Sequence, residues 1–218
     1  TLTQRLVTHA FMSHKVGLGA EHLGLHGAIC VLLRWNTVVP HDTITWVPYV
    51  LPDAEASAQK EDLILWPPLV VIHNISMSNN NPVVKVVAIE GIEAFLRCKG
   101  FVGGKIKVCL GKPADQSIMV VKFLGTFTLL GMAERLHQYF AENNRERIEF
   151  ERKTYNGKSN DKWEAGIQGD EVEQLPYGCV GVAEDLDRLD FHTKKYSVVK
   201  RKKEIQDLAN APVKLDDR

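Results

Sequence analysis

An α+β fold in which two βαβ halves interleave is what this sequence predicts, on three observations. Between residues 63 and 192, short apolar runs with a strand-like alternation are separated by two amphipathic stretches with period near 3.6. A Pro67-Pro68 pair stands immediately before the first strand, where proline can neither continue a helix nor donate to a ladder. Turn chemistry closes the elements, with Gly100 after the first helix and GKPADQ between two strands.

The elements follow in order. Residues 1–35 read as a small helical segment, with apolar or small residues at helical spacing on both sides of a break at Gly17–Gly19, and with His9, His14, His22 and His26 along it. Residues 36–62 read as a linker, proline- and aspartate-rich in VVPHDTITWVPYVLPD, then small and polar in AEASAQKED. PLVVIHNIS is the first strand, with Val70 and Ile72 facing the helices and Asn74 leaving into a loop. AIEGIEAFLRCKG is a helix with Ile89, Ile92, Phe95 and Leu96 on one face. In GKIKVCLG, Ile106, Val108 and Leu110 point one way and Lys105, Lys107 and Cys109 the other. SIMVVKFLG is the third strand, and TLLGMAERLHQYFAENN is a second helix burying Leu129, Met132, Ala133, Leu136 and Phe140. A polar insertion, 145–176, precedes the fourth strand YGCVGVA. Leu186, Leu189, Tyr196, Val199, Ile205 and Leu208 keep an imperfect helical repeat, so 193–218 is expected to extend a C-terminal helix that could open a coiled coil. This order is the split βαβ of ferredoxin-like folds over 63–192.

Composition removes several functional classes. Lys+Arg and Asp+Glu number 27 each, so no global charge draws the chain to nucleic acid or membrane. The balance is uneven locally, and KKYSVVKRKK (194–203) is strongly basic. The four cysteines (Cys30, Cys98, Cys109, Cys179) form no CxxC, which points to an intracellular, reducing location, nucleus or cytoplasm, rather than to a disulfide framework. No apolar run is long enough to span a bilayer, and nothing at the start reads as a signal peptide. Thr1 in place of Met implies a piece of a longer protein. No GxSxG, GxxxxGK[ST], HExxH or GxGxxG is present, and His137 has no evident catalytic partner, so an enzyme is not expected.

RNA recognition motifs share this element order, and Val70-Val71-Ile72-His73-Asn74-Ile75 sits in the frame of their first-strand signature. The stacking rings are missing: Val71, Ile118 and Val120 stand in their places. LILWPPLVVIHN, then AERLHQYF, then a polar insertion, then YGCVGVAEDLDRLDFH resembles a narrower family, the plant XS domain of the suppressor-of-gene-silencing and de novo DNA methylation proteins. LVTHA and VGLGAEHLGL resemble the second half of the zinc finger that often precedes such domains. The resemblance implies an RNA-binding module of small-RNA and gene-silencing pathways, with double-stranded RNA or its overhanging ends as ligand. It also implies dimerisation, with a second copy or a related XS-domain protein, through a following coiled coil. His9 and His22 match the zinc-binding histidines, while the upstream cysteine pair is absent.

Three candidate sites follow from the residues. On the sheet face turned from the helices stand Val71, His73, Lys105, Lys107, Cys109, Ile118, Val120 and Lys122, either an open surface for a ribose-phosphate backbone or an apolar patch covered by the insertion or C-terminal helix. In the insertion, Arg145, Arg147, Arg152, Lys153, Lys158 and Lys162 interleave with Phe150, Tyr155 and Trp163, which suits phosphates and exposed bases. Glu146, Glu149, Glu151, Asp161 and Glu164 in the same stretch equally suit a solvated, internally paired element. Lys200-Arg201-Lys202-Lys203 reads as a phosphate clamp, a nuclear localisation signal or a solvated helix face. His14 and His26 are expected at the surface. The expected function is RNA binding through Lys105, Lys107, Lys122, His73, Arg152, Lys153, Lys158, Lys162 and Trp163, and the alternative is a protein-interaction and dimerisation scaffold whose RNA is handled by a partner.

Overall fold

The structure, a computed structural model, describes residues 2–12, 18–37, 46–74, 76–78, 81–83, 87–101, 106–115, 117–156 and 175–210. It divides into two compact units, Thr1–Asp62 and Leu63–Arg218.

In the first unit, α1 (Leu2–Met12) and α2 (Gly19–Leu33) form a helical pair, and α3 (Asp53–Glu61) follows. Val7, Cys30 and Trp46 make its buried centre, with Phe11, Ile29 and Trp35 against them. Asn36 organises the returning chain: its carbonyl accepts from Trp46 Nε1 at 3.0 Å, and its side-chain oxygen accepts from the Tyr49 amide at 2.9 Å. Within the expected linker Asp53–Glu61 forms a helix, because AEASAQKE is a good helix-forming run with Asp53 and Glu55 in its first turn. His26 is buried, not at the surface. Its Nδ1 lies 3.2 Å from the Val7 carbonyl and its ring meets those of Phe11 and Trp46.

The second unit carries β1 (Leu63–Trp66), β2 (Leu69–His73), the hairpin β3 (Ser76–Ser78) and β4 (Asn81–Val83), α4 (Ile89–Cys98), β5 (Ile106–Leu110), β6 (Ile118–Phe123), α5 (Phe127–Glu142), α6 (Arg147–Asn156), β7 (Tyr177–Val180), a 3-10 turn (Ala183–Arg188), α7 (Phe191–Tyr196), β8 (Val198–Arg201) and α8 (Lys202–Asn210). The main sheet has the order β5-β6-β2-β7, antiparallel throughout. That is the strand order of the ferredoxin-like fold, with the two crossover helices on one face. Val70, Ile72, Val108, Met119 and Val121 of the sheet pack with Ile92 and Leu96 of α4 and with Leu129, Ala133, Leu136 and Phe140 of α5.

Local chemistry explains the ends. Thr126 accepts from the Leu129 amide at 3.3 Å and caps α5. Gly100, at φ 78°, ends α4 as the turn requires, and the Phe101 amide returns to the Leu96 carbonyl at 2.8 Å. Gly178 lets β7 lie on α5, since a Cβ there would sit 2.3 Å from the Phe140 ring.

Two features differ from the sequence expectation. Leu63–Trp66, to which the sequence assigns no element, is a strand, paired antiparallel with Val198–Arg201. Accordingly, no single helix runs through 186–208: the stretch breaks into the 3-10 turn, α7, β8 and α8. The apolar positions that suggested one helix instead serve three partners, Leu186 and Leu189 the sheet, Ile205 the Ile64 and Leu130 cluster, and Val199 the pairing with Leu65.

Candidate nucleic-acid interface

The sheet face turned away from α4 and α5 is built in three rows by the strand register. The first contains Lys107, Lys122 and Leu69, the second Cys109, Val120, Val71 and Cys179, and the third Ile118, His73 and Tyr177. The middle row is closed. Val71, Val120 and Cys179 form one buried cluster with Leu65, Leu69 and Leu189, and Cys109, Ile118 and Leu186 pack on it. Burial pushes the Cys179 thiol up to about 12, so it behaves as a small apolar side chain. Of the two outcomes left open for this face, it is the covered one, and over this row the cover comes from Leu186 of the 3-10 turn and Leu189 after it, together with Leu65 of β1.

The third row is closed as well. His73 is buried, its ring stacked on Phe150 at 4.1 Å between centroids and 17° between planes. Its Nε2 lies 3.1 Å from Arg188 Nη1, so this nitrogen accepts and the imidazole is neutral. Burial first, and the Arg188 charge second, lower its pKa to about 4. In this fold His73 therefore offers no ring face to a base, because Phe150 already occupies it.

What locks the cover is a carboxylate that sequence reasoning passed over. Asp185 is fully buried and accepts from Arg147 at both oxygens (2.5 and 3.1 Å), from Arg188 at 3.0 Å and from the Val182 amide at 3.0 Å. It joins the start of α6 to the exit of β7. Four acidic residues lie between 184 and 190, and spacing alone does not single out the one that meets Arg147.

The cations sort to two ends of this face. At the first row, Lys107 and Lys122 stand directly opposite each other, an arrangement that costs energy unless something neutralises one of them. Lys122 Nζ donates to the Thr193 hydroxyl at 3.2 Å. Burial works against ionising Asp190, but bonds from Thr193 and the Lys122 charge outweigh it and hold its carboxyl below the ordinary range. Lys107 is exposed and makes no ion pair among the described residues. At the opposite end, four residues along β2 or about 13 Å away, α6 carries Arg152 and Lys153. Glu149 holds both, Arg152 through a two-pronged bond at 2.6 and 2.8 Å and Lys153 at 3.8 Å. The Arg152 bond holds the Glu149 carboxyl below its ordinary range. Lys153 also lies over the Tyr177 ring. The structure thus places Lys107 with Lys122, and Arg152 with Lys153, at separate ends. Lys105, Lys158, Lys162 and Trp163 lie outside the described residues.

In the first unit, His9 and His22 are neighbours, with ring centroids 6.2 Å apart, and His22 Nδ1 is buried with no hydrogen-bond partner among the described residues. Two imidazoles are half of a tetrahedral zinc set, and among the described residues no group of three metal-binding side chains converges. Among the described residues, the donors beside His9 and His22 do not complete a zinc site.

Among the described residues no helix is long and apolar enough to cross a membrane. The sequence profile described as "XS domain" matches residues 61–188, more than half of the chain. Comparison with curated proteins gives no match. That match spans every strand of the main sheet, both crossover helices and the buried Asp185 lock, and the chain belongs to the XS domain family, whose role is in gene-silencing pathways and broadly RNA-related.

Proposed function

We propose that this chain is a non-enzymatic RNA-binding module that holds duplex RNA by its backbone, with little reading of sequence. The observation that carries this is the closed sheet face. Leu186, Leu189 and Phe150 occupy the places where bases would stack on an RNA-recognition sheet, so the contacts left for RNA are those of cations at its rim. Lys107 is the exposed member of the lysine row, with Lys122 beside it, and Arg152 and Lys153 supply the other end. Phosphate and 2′-OH contact through such groups suits an A-form helix and an intracellular ligand. The scaffold reading draws less support, because the repeat across 186–208 forms short elements rather than a continuous coiled-coil helix.

The test is a titration of the full chain with blunt duplex RNA at several salt concentrations. Binding is expected to weaken linearly on a log–log plot, and Lys107→Ala is expected to reduce the slope by about one. No binding at low salt, or binding indifferent to salt, overturns the reading.

A further inference from the structure

The strongest surface feature outside the sheet is the segment that follows its cover. Residues 191–203, FHTKKYSVVKRKK, contain six Lys or Arg and no Asp or Glu. The structure places this stretch as α7, β8 and the start of α8. Its buried groups are few. Thr193 faces inward, capped by Asp190 at 3.0 Å and bonded to Lys122. The large apolar and aromatic groups face outward. Phe191 is 78 % exposed and Tyr196 is 61 % exposed, and Val198 and Val199 next to them are also exposed.

An exposed aromatic pair on a six-residue helix contributes little to the fold that carries it. Tyr196 is also set beside a cation. Lys195 Nζ lies 5.7 Å from the centre of the Tyr196 ring, and His192 packs on the same ring at 4.9 Å. The nearby carboxylates are already engaged: Asp187 takes Lys194 at 2.5 Å, Asp190 takes Thr193, and Glu204 lies 3.8 Å from Arg201. Lys195 and Lys200 make no ion pair among the described residues. Through the Lys122–Thr193 bond, α7 is seated on the lysine row of the sheet, so its charges add to those of Lys107 and Lys122.

We infer that the α7–β8 surface is a binding site for unpaired nucleotides, with Phe191 and Tyr196 as stacking platforms and Lys195 and Lys200 as phosphate contacts. Single-stranded nucleic acid is the occupant because it alone presents both halves of the match: flat π-faces for two solvated rings, and a negative charge at every residue for a stretch with no acidic side chain. A protein partner would meet the rings but would need an unbroken acidic surface to meet the lysines. The closed sheet sharpens the point, since the covered rows leave no base-stacking surface there, whereas α7, seated on the lysine row through Thr193, exposes two rings. The inference rests on the RNA-binding reading and adds a second, distinct mode to it, bases on α7 beside backbone at the sheet rim.

The test uses the full chain with two labelled probes, a uridine oligoribonucleotide and a blunt RNA duplex. Phe191→Ala and Tyr196→Ala are each expected to weaken single-strand binding about tenfold, and the double variant about a hundredfold. Phe191→Trp and Tyr196→Phe keep a ring and retain binding. Both wild-type rings are solvated, so the alanine variants fold, which circular dichroism checks. A stacking signature separates base contact from mere charge: in Tyr196→Trp the new indole's emission is quenched on adding the single strand. Duplex affinity is expected to stay unchanged in the alanine variants. Single-strand binding unaltered by the double alanine variant, or an indole emission in Tyr196→Trp that the single strand leaves unquenched, overturns the site even if the duplex binds. Absent duplex binding with single-strand binding that depends on the rings overturns the backbone reading and leaves the site standing.

Discussion

Replacing Asp185 with Ala removes the acceptor on which the cover of the sheet is anchored. The carboxylate is wholly buried and takes four donations, three of them from guanidinium groups. Arg147, whose side chain is only 19 % exposed, would keep its charge with its counter-ion gone. Breaking a buried pair in this way costs about 3–5 kcal/mol, most of it the uncompensated charge. A domain is typically stable by about 5–15 kcal/mol, so the loss is a large share of the whole. With a urea dependence of about 2 kcal/mol per molar, the unfolding midpoint of this unit in the full chain is expected to fall by about 2 M. Asp185→Asn keeps an acceptor for the Val182 amide and is expected to fall by less. The paired replacement Asp185→Leu with Arg147→Met is expected to recover part of the loss, because it removes the carboxylate together with the more buried of its two guanidinium partners, while the Arg188 guanidinium and the Val182 amide lose their acceptor. A midpoint for Asp185→Ala within about 0.5 M of wild type would refute the reasoning, as would a double variant worse than either single one.

Other outcomes follow from the same geometry. His73 has its pKa lowered to about 4 from an ordinary value near 6.5, by burial and then by Arg188. Its contribution to stability is therefore complete above pH 6.5 and is lost as pH falls towards 4, amounting to about 3 kcal/mol over that window. His73→Phe should flatten the acid side of the stability–pH profile by that amount, and an unchanged acid slope counts against the burial argument. Gly178→Ala places a Cβ 2.3 Å from the Phe140 ring, and neither β7 nor α5 can easily retreat; a loss of about 2 kcal/mol is expected in chemical unfolding.

Much of the second unit was legible because its signals are local. A strand alternates faces every residue and a helix returns a face every three to four, so Val70, Ile72, Val108, Ile92, Leu96, Leu136 and Phe140 could be assigned to one core, where they pack. Gly100 could be named as a helix stop because its role depends only on backbone freedom, which the φ of 78° uses. The motifs around Pro67-Pro68 and Tyr177 carried the family resemblance, which the profile match over 61–188 shares.

The candidate site was less legible, since its chemistry is set by pairs far apart in the chain. Val198–Arg201 read as part of a helix because its apolar spacing fits one; pairing with Leu63–Trp66, more than 130 residues upstream, makes it a strand. His73 looked like a ring presented on an open sheet until Phe150 and Arg188 arrived from the insertion and the 3-10 turn. Patterning along the chain tells which side of an element is apolar. It does not tell what will lie on the other side, because whether a cover forms depends on long-range contacts such as Arg147 to Asp185, whose energy appears only when the whole unit has closed.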